Sequence, residues 1–121
     1  GNLVKEIDKR ISIITKACLD KGAFDIKVLD IKGLTTVSDY FIIASGNSTT
    51  QTTTIADTVE EKMLEAEYEI LGKEGHQSAR WILLDFGDII VHVFHKEDRE
   101  FYNLEKLWAD GEELDIENLN I

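Results

Sequence analysis

Residues 80–108 read RWILLDFGDIIVHVFHKEDREFYNLEKLW, and this stretch decides the fold class. Arg80 to Phe86 and Asp88 to His95 are apolar runs on either side of Gly87, the pattern of a hairpin. The acid-started amphipathic segment from Glu97 to Trp108 predicts a helix after it. Alternate residues of a strand point to opposite faces, so Trp81, Leu83 and Asp85 share one side, and Ile82, Leu84 and Phe86 the other. In the second strand Ile90, His92 and Phe94 oppose Ile89, Val91, Val93 and His95. One face of the hairpin is therefore aliphatic and suits a core. The other mixes Trp, Asp, His and Phe, the composition of interface anchors.

Upstream, Val4, Ile7, Ile11, Ile14 and Cys18 alternate spacings of three and four, which predicts a helix from about Leu3 to Lys21 closed by Gly22. Asp25 to Ile31 and Asp39 to Ser45 read as strands, joined by a turn-rich connector from Lys32 to Ser38. Past Gly46, a hydroxyl-rich run enters a helix whose inner stripe is Ile55 or Ala56, Val59, Met63 and Ala66. A short strand is expected at Tyr68 to Lys73 and a polar loop at Glu74 to Ala79. The order helix, strand, strand, helix, strand, strand, strand, helix predicts an α/β fold: one mixed β-sheet with helices mainly on one face.

With 121 residues and 43% apolar content, the chain can form a single core that buries roughly two-thirds of its unfolded surface. One domain over 1–121 is expected, with an acidic tail at 110–121 that is either loosely packed or docked on a partner. No run approaches the ~20 apolar residues of a membrane span and no signal-like start is present, so a cytoplasmic protein without a membrane partner is expected. The single cysteine, Cys18, sits on the apolar helix stripe and predicts a buried spectator thiol. A formal charge of -11, from 24 acidic and 13 basic side chains, repels nucleic-acid backbones and serves either solubility alone or attraction to a basic partner surface.

Three patterns suggest chemistry, and each has a simpler explanation. The passage from Ser45 and Gly46 into Ser48, Thr49 and Thr50 could offer helix N–H groups to a phosphate. It has no nearby lysine, however, and a hydroxyl N-cap explains it. A nucleotidyltransferase would add paired carboxylates on a neighbouring strand, where Tyr68 to Lys73 supplies only Glu69. Asp85-Phe86-Gly87 matches a kinase metal triplet without the rest of a kinase. His92 and His95 lie three apart and face opposite ways along a strand, so they cannot share a metal, and His76 lies in a loop. No cofactor or metal is expected, and the rival reading is a nucleotide-binding enzyme using the Gly46 loop.

Several blocks in order, Asp25 to Ile31, Leu34 to Gly46, Glu74-Gly75 with Arg80-Trp81, and Leu84 to Trp108, resemble the ribosomal silencing factor family, also called Iojap-like. That resemblance implies a fold similar to a nucleotidyltransferase core without its catalytic carboxylates, and a translation repressor that is not an enzyme. It implies binding to the large ribosomal subunit through its fourteenth ribosomal protein, and a steric block to joining with the small subunit. Direct sequence-specific binding of nucleic acid is not expected. The partner-binding candidates are Trp81, Asp85, His92 and Phe94, with Asp39 and Tyr40 on the adjacent strand, then Tyr102 and Trp108. An exposed sheet face or edge would also permit a homodimer.

Overall fold

Ile11, Ile14 and Cys18 are fully buried on one side of α1 (Asn2–Asp20), as their three- and four-residue spacing requires. The structure is a computed structural model and describes residues 2–102 and 112–114, with only the backbone at 2–8, 101, 102 and 112. Gly22, at φ +78°, turns the chain out of α1 while the Ala23 N–H donates to the Cys18 carbonyl at 2.9 Å. After β1 (Phe24–Asp30) and β2 (Tyr40–Gly46), helix α2 (Thr49–Glu65) runs back across the sheet. The strands β3 (Gly72–Glu74), β4 (Trp81–Asp85) and β5 (Ile89–His95) follow, then α3 (Lys96–Tyr102) and β6 (Glu112–Leu114).

The six strands form one sheet in the order β3-β4-β5-β2-β1-β6. Among the described strands only β2 and β5 pair in parallel, Tyr40 against Ile89 through Gly46 against His95, while β4 and β5 form the expected antiparallel hairpin. The sheet is therefore mixed, as its strand order suggested. On one face, Val28, Ile42, Ala44, Ile82, Leu84, Val91 and Val93 meet the apolar stripes of α1 and α2 in the main core. Each fully buried aliphatic side chain there contributes about 1.5–3 kcal/mol. The inner stripe expected for α2 is present from Ile55 to Met63, with Ile55, Ala56, Val59 and Met63 all at 0% exposure, whereas Ala66 is the helix C-cap and only half-buried. Cys18 lies in the same core, where burial pushes its thiol pKa up to about 12 and leaves it chemically quiet.

Two expectations change. The strand expected at Tyr68 to Lys73 begins only at Gly72, because the chain first has to close α2. The Tyr68 N–H donates to the Met63 carbonyl at 2.8 Å, with Glu67 at φ +69°. Within the acidic tail expected to pack loosely at 110–121, Glu112–Leu114 form a strand antiparallel to β1, and the rest of that expectation lies outside the described residues. An open edge at β1 offers backbone groups for pairing, Leu114 packs against the core, and Glu113 meets Lys27 at 3.0 Å. The last helix, expected as far as Trp108, is described to Tyr102, and the rest of that expectation lies outside the described residues.

The second face carries its own cluster of Leu29, Ile31, Phe41, Ile43, Ile90 and Phe94, with Trp81 and Leu83 packed against it. His92 lies among these residues at 4% exposure, and burial pushes its imidazole pKa down to about 4 from 6.5. In the unfolded chain His92 regains its ordinary pKa, so between about pH 6.5 and 4 the unfolded state holds more protons than the native one. Stability then falls as the pH drops through that window, by about 3 kcal/mol from this residue at about 1.4 kcal/mol per pH unit. Urea unfolding at pH 7 and pH 4.5 should show a smaller acid loss in His92→Phe than in the parent chain. Equal losses would place the acid sensitivity elsewhere.

Gly75 fixes the loop before β4. At φ +77° it lies so close to the next strand that an added Cβ would meet the Trp81 carbonyl at 2.0 Å. Gly75→Ala is expected to lower stability by about 2 kcal/mol or more, read as a drop in the urea midpoint.

Candidate functional site

The outer face of β4 carries the candidate site. Ile82 and Leu84 are buried toward the helices, whereas Trp81, Leu83 and Asp85 are only half-buried. An aromatic ring, an aliphatic side chain and a carboxylate thus alternate along one ordered strand. Rigid strands hold side chains within tight limits, which suits a surface that must fit a partner.

Trp81 is held by its neighbours on β5. It pairs in register with Phe94, and the two rings stack with centroids 4.9 Å apart at an interplanar angle of 25°. Its indole Nε1–H donates to His92 Nδ1 at 3.0 Å, across the diagonal of the ladder. Phe41 of β2 meets the His92 ring edge-on at 4.6 Å and 74°. Just before the strand, the Arg80 guanidinium forks onto Asp98 of α3 at 2.9 and 3.0 Å and reaches Glu97 at 3.4 Å. The Arg80 carbonyl accepts from the His95 N–H at 2.8 Å, which ties the start of β4 to the end of β5.

The structure sorts the candidate residues. Trp81, His92 and Phe94 come together as one aromatic cluster, but His92 and Phe94, at 4% and 1% exposure, are not open contacts. The central position of β5 explains this, since strands on both sides and the large Trp81 and Phe41 rings cover them. Asp85 stays on the outer face, where its Oδ1 accepts from the Gly87 N–H at 2.8 Å and shapes the hairpin turn. Asp39 stands just before β2, its N–H donating to the Asp88 carbonyl at 3.0 Å. Tyr40 is corrected: it packs in the main core on the helix side, and its hydroxyl accepts from Lys32 Nζ at 2.8 Å. Consecutive strand residues point opposite ways, so Asp39 and Tyr40 could not both join the Trp81 face. Tyr102 ends α3 with its side chain outside the described residues, and Trp108 lies outside them altogether.

Sequence reasoning placed Leu83 on the Trp81 face without naming it a candidate, and it missed Phe41. Phe41 shares parity with Ile43 and Ser45, and parallel pairing of β2 with β5 sets Phe41 against Ile90 and Ile43 against His92. The signal was the alternation along β2, which becomes informative only once β5 is known to be its neighbour.

The Gly46 passage is built to start a helix. Ser48 is the N-cap of α2 and accepts from the Gln51 N–H at 3.1 Å, while Gln51 Oε1 accepts from the Asn47 N–H at 2.6 Å. A Cβ on Gly46 would meet the Thr52 N at 3.2 Å, so the glycine lets the first turn of α2 approach the strand. Beside it, at the ends of β2 and β5, a cleft of about 480 Å³ is lined by Asp25, Glu97 and Glu100 as well as Lys96 and Arg99. Arg99 already donates to Ser45 Oγ at 2.8 Å, and the carboxylates disfavour a polyphosphate. His95 Nδ1 accepts from the Glu97 N–H at 3.2 Å, and His76 Nε2 lies 2.8 Å from Asp57. The three histidines thus have separate surroundings. Among the described residues, no three His, Cys, Asp or Glu side chains converge as a metal site.

Comparison with known proteins agrees with this fold. The family described as "Ribosomal silencing factor during starvation" matches residues 4–121. The ribosomal silencing factor RsfS of Bacillus subtilis is 45% identical over 107 residues, covering 88% of this chain and 91% of that protein. The chloroplastic protein Iojap of Arabidopsis thaliana is 33% identical over 103 residues, covering 85% of this chain and 43% of that longer protein. A crystal structure of a Chromobacterium violaceum protein superposes with a TM-score of 0.81 at 37% identity, covering 84% of each chain. With its length matched almost throughout and its sheet shared, this chain belongs to the ribosomal silencing factor family.

Proposed function

We propose that this chain represses translation by occupying the large ribosomal subunit, through that subunit's fourteenth protein, where the small subunit has to join. It acts as a single domain in the cytoplasm and by obstruction, with no bond made or broken. Family membership supports a ribosomal role, and the half-buried row of Trp81, Leu83 and Asp85 on one rigid strand is the observation that carries the docking reading. A net charge of -11 supplies long-range attraction to a basic ribosomal surface, which can raise encounter rates by ~10 to 10³ fold at low salt. An interface of ~1,600 Å² is enough for a specific complex, with affinity concentrated in a few anchors such as tryptophan. The small subunit has only to be excluded, so residence on the large subunit is the quantity that matters.

In a sucrose gradient the purified chain should travel with the large subunit, and about a tenfold excess should lower the yield of joined ribosomes. Trp81→Ala should weaken binding by about thirtyfold or more, the loss typical of an interface hot spot, while circular dichroism shows an intact fold. Joined-ribosome yields that ignore the added protein would sink the obstruction reading. Saturable nucleotide hydrolysis in the presence of magnesium would favour the enzymatic one.

A further inference from the structure

Histidine is an expensive residue for the centre of β5. Its neighbours on that face are Phe41, Ile43, Leu83 and Phe94, and an apolar ring would pack there without any polar atom to satisfy. With Nδ1 accepting from Trp81, the neutral ring carries its proton on Nε2. That Nε2 is buried and has no hydrogen-bond partner. Leaving a buried donor unmet is unfavourable. The packing gains nothing from it, so the compensation has to come from what Nδ1 does.

What Nδ1 does is select an orientation of the indole. Stacking on Phe94 sets the plane of the Trp81 ring but is nearly indifferent to a flip within that plane. The torsion next to an aromatic ring is broad and roughly two-fold, so two flipped orientations compete. An indole has one N–H, and an acceptor 3.0 Å away on the sheet side picks one of the two. The polar edge is then turned inward, toward β5, and is withheld from a partner.

We infer that His92 is a positioning residue: it holds Trp81 so that the docking face withholds the indole N–H, and it makes no contact with the partner itself. The inference rests on the docking reading above and adds to it the chemistry of the contact. A partner pocket for Trp81 then needs no hydrogen-bond acceptor for the indole. Fixing the ring before binding also removes an ordering cost that the complex would otherwise bear.

The test compares His92→Phe, which keeps a ring but removes the acceptor, with His92→Asn, whose side-chain oxygen can stand where Nδ1 stood. In ¹⁵N-labelled protein the two tryptophan indole N–H signals are assigned with Trp81→Phe and Trp108→Phe. The Trp81 signal should exchange with water about tenfold faster in His92→Phe than in the parent chain, and slowly again in His92→Asn. Affinity for purified large subunits should fall about tenfold in His92→Phe and recover to within about threefold in His92→Asn. An unchanged indole signal in His92→Phe overturns the positioning role. A released indole in a His92→Phe protein that binds as the parent does, with Trp81→Ala also binding normally, overturns the docking reading on which the inference rests.

Discussion

The parallel pairing of β2 with β5 is the constraint on which the other elements depend. Seven residues of each strand lie in register, and all fourteen positions are buried. Strands covered on both faces cannot be hydrophobic on one side only, which is why Phe41, Ile43 and Phe94 are apolar on the side away from α1 and α2. The parallel direction also requires a long crossover, and α2, β3 and β4 all belong to it. Because β4 is the last element before β5, the hairpin returns it to the outer side of β5, and Trp81 comes to lie opposite Phe94. The candidate site is thus a consequence of where the crossover has to end.

Much of this was legible in the chain. The helices of the main core announced themselves through Ile11, Ile14 and Cys18 and through Ile55, Val59 and Met63. The hairpin showed itself in two alternating runs around Gly87. These are local periodicities, which depend on nearby residues and survive without knowledge of the neighbours. The exposure of His92 and Phe94 was not legible, because alternation tells which face a residue takes and says nothing of what covers that face. Tyr40 was misplaced for a related reason: two strands have to be aligned before residues on them can be said to share a side. The β6 pairing at Glu112–Leu114 was hidden by its short length and acidic composition, since what fixes it is the open edge of β1, far away in sequence.

Charge and shape divide the labour in the proposed complex. The acidic excess is spread over exposed positions such as Asp57, Glu61, Glu65 and Glu67, where solvent screens it and no single pair has much weight. Such a field brings partners together quickly but cannot decide which surface is held. That choice falls to the few half-buried side chains on β4. The ion pairs from Arg80 to Asp98 and Glu97 are best understood in this light. They are too exposed to add much to folding, but they tie α3 to the residue next to Trp81.

A protein that acts by obstruction makes different demands on its structure from those of an enzyme. Catalysis requires groups whose protonation or charge changes during a reaction, and such groups tend to stand in polar, water-accessible clefts with shifted pKa values. On the Trp81 face the one strongly shifted group among the described residues, His92, is shifted toward being neutral and is packed among aromatic rings. A histidine in that state is poorly suited to proton transfer near neutral pH but is a dependable hydrogen-bond acceptor, because its protonation does not fluctuate there. Constancy is useful to a docking surface, whose partner has to meet the same geometry at every encounter. The burial that depresses the basicity of His92 keeps the ring neutral near neutral pH, where its Nδ1 can accept from Trp81, and so the burial of a polar ring and the shape of the outer face become one structural fact.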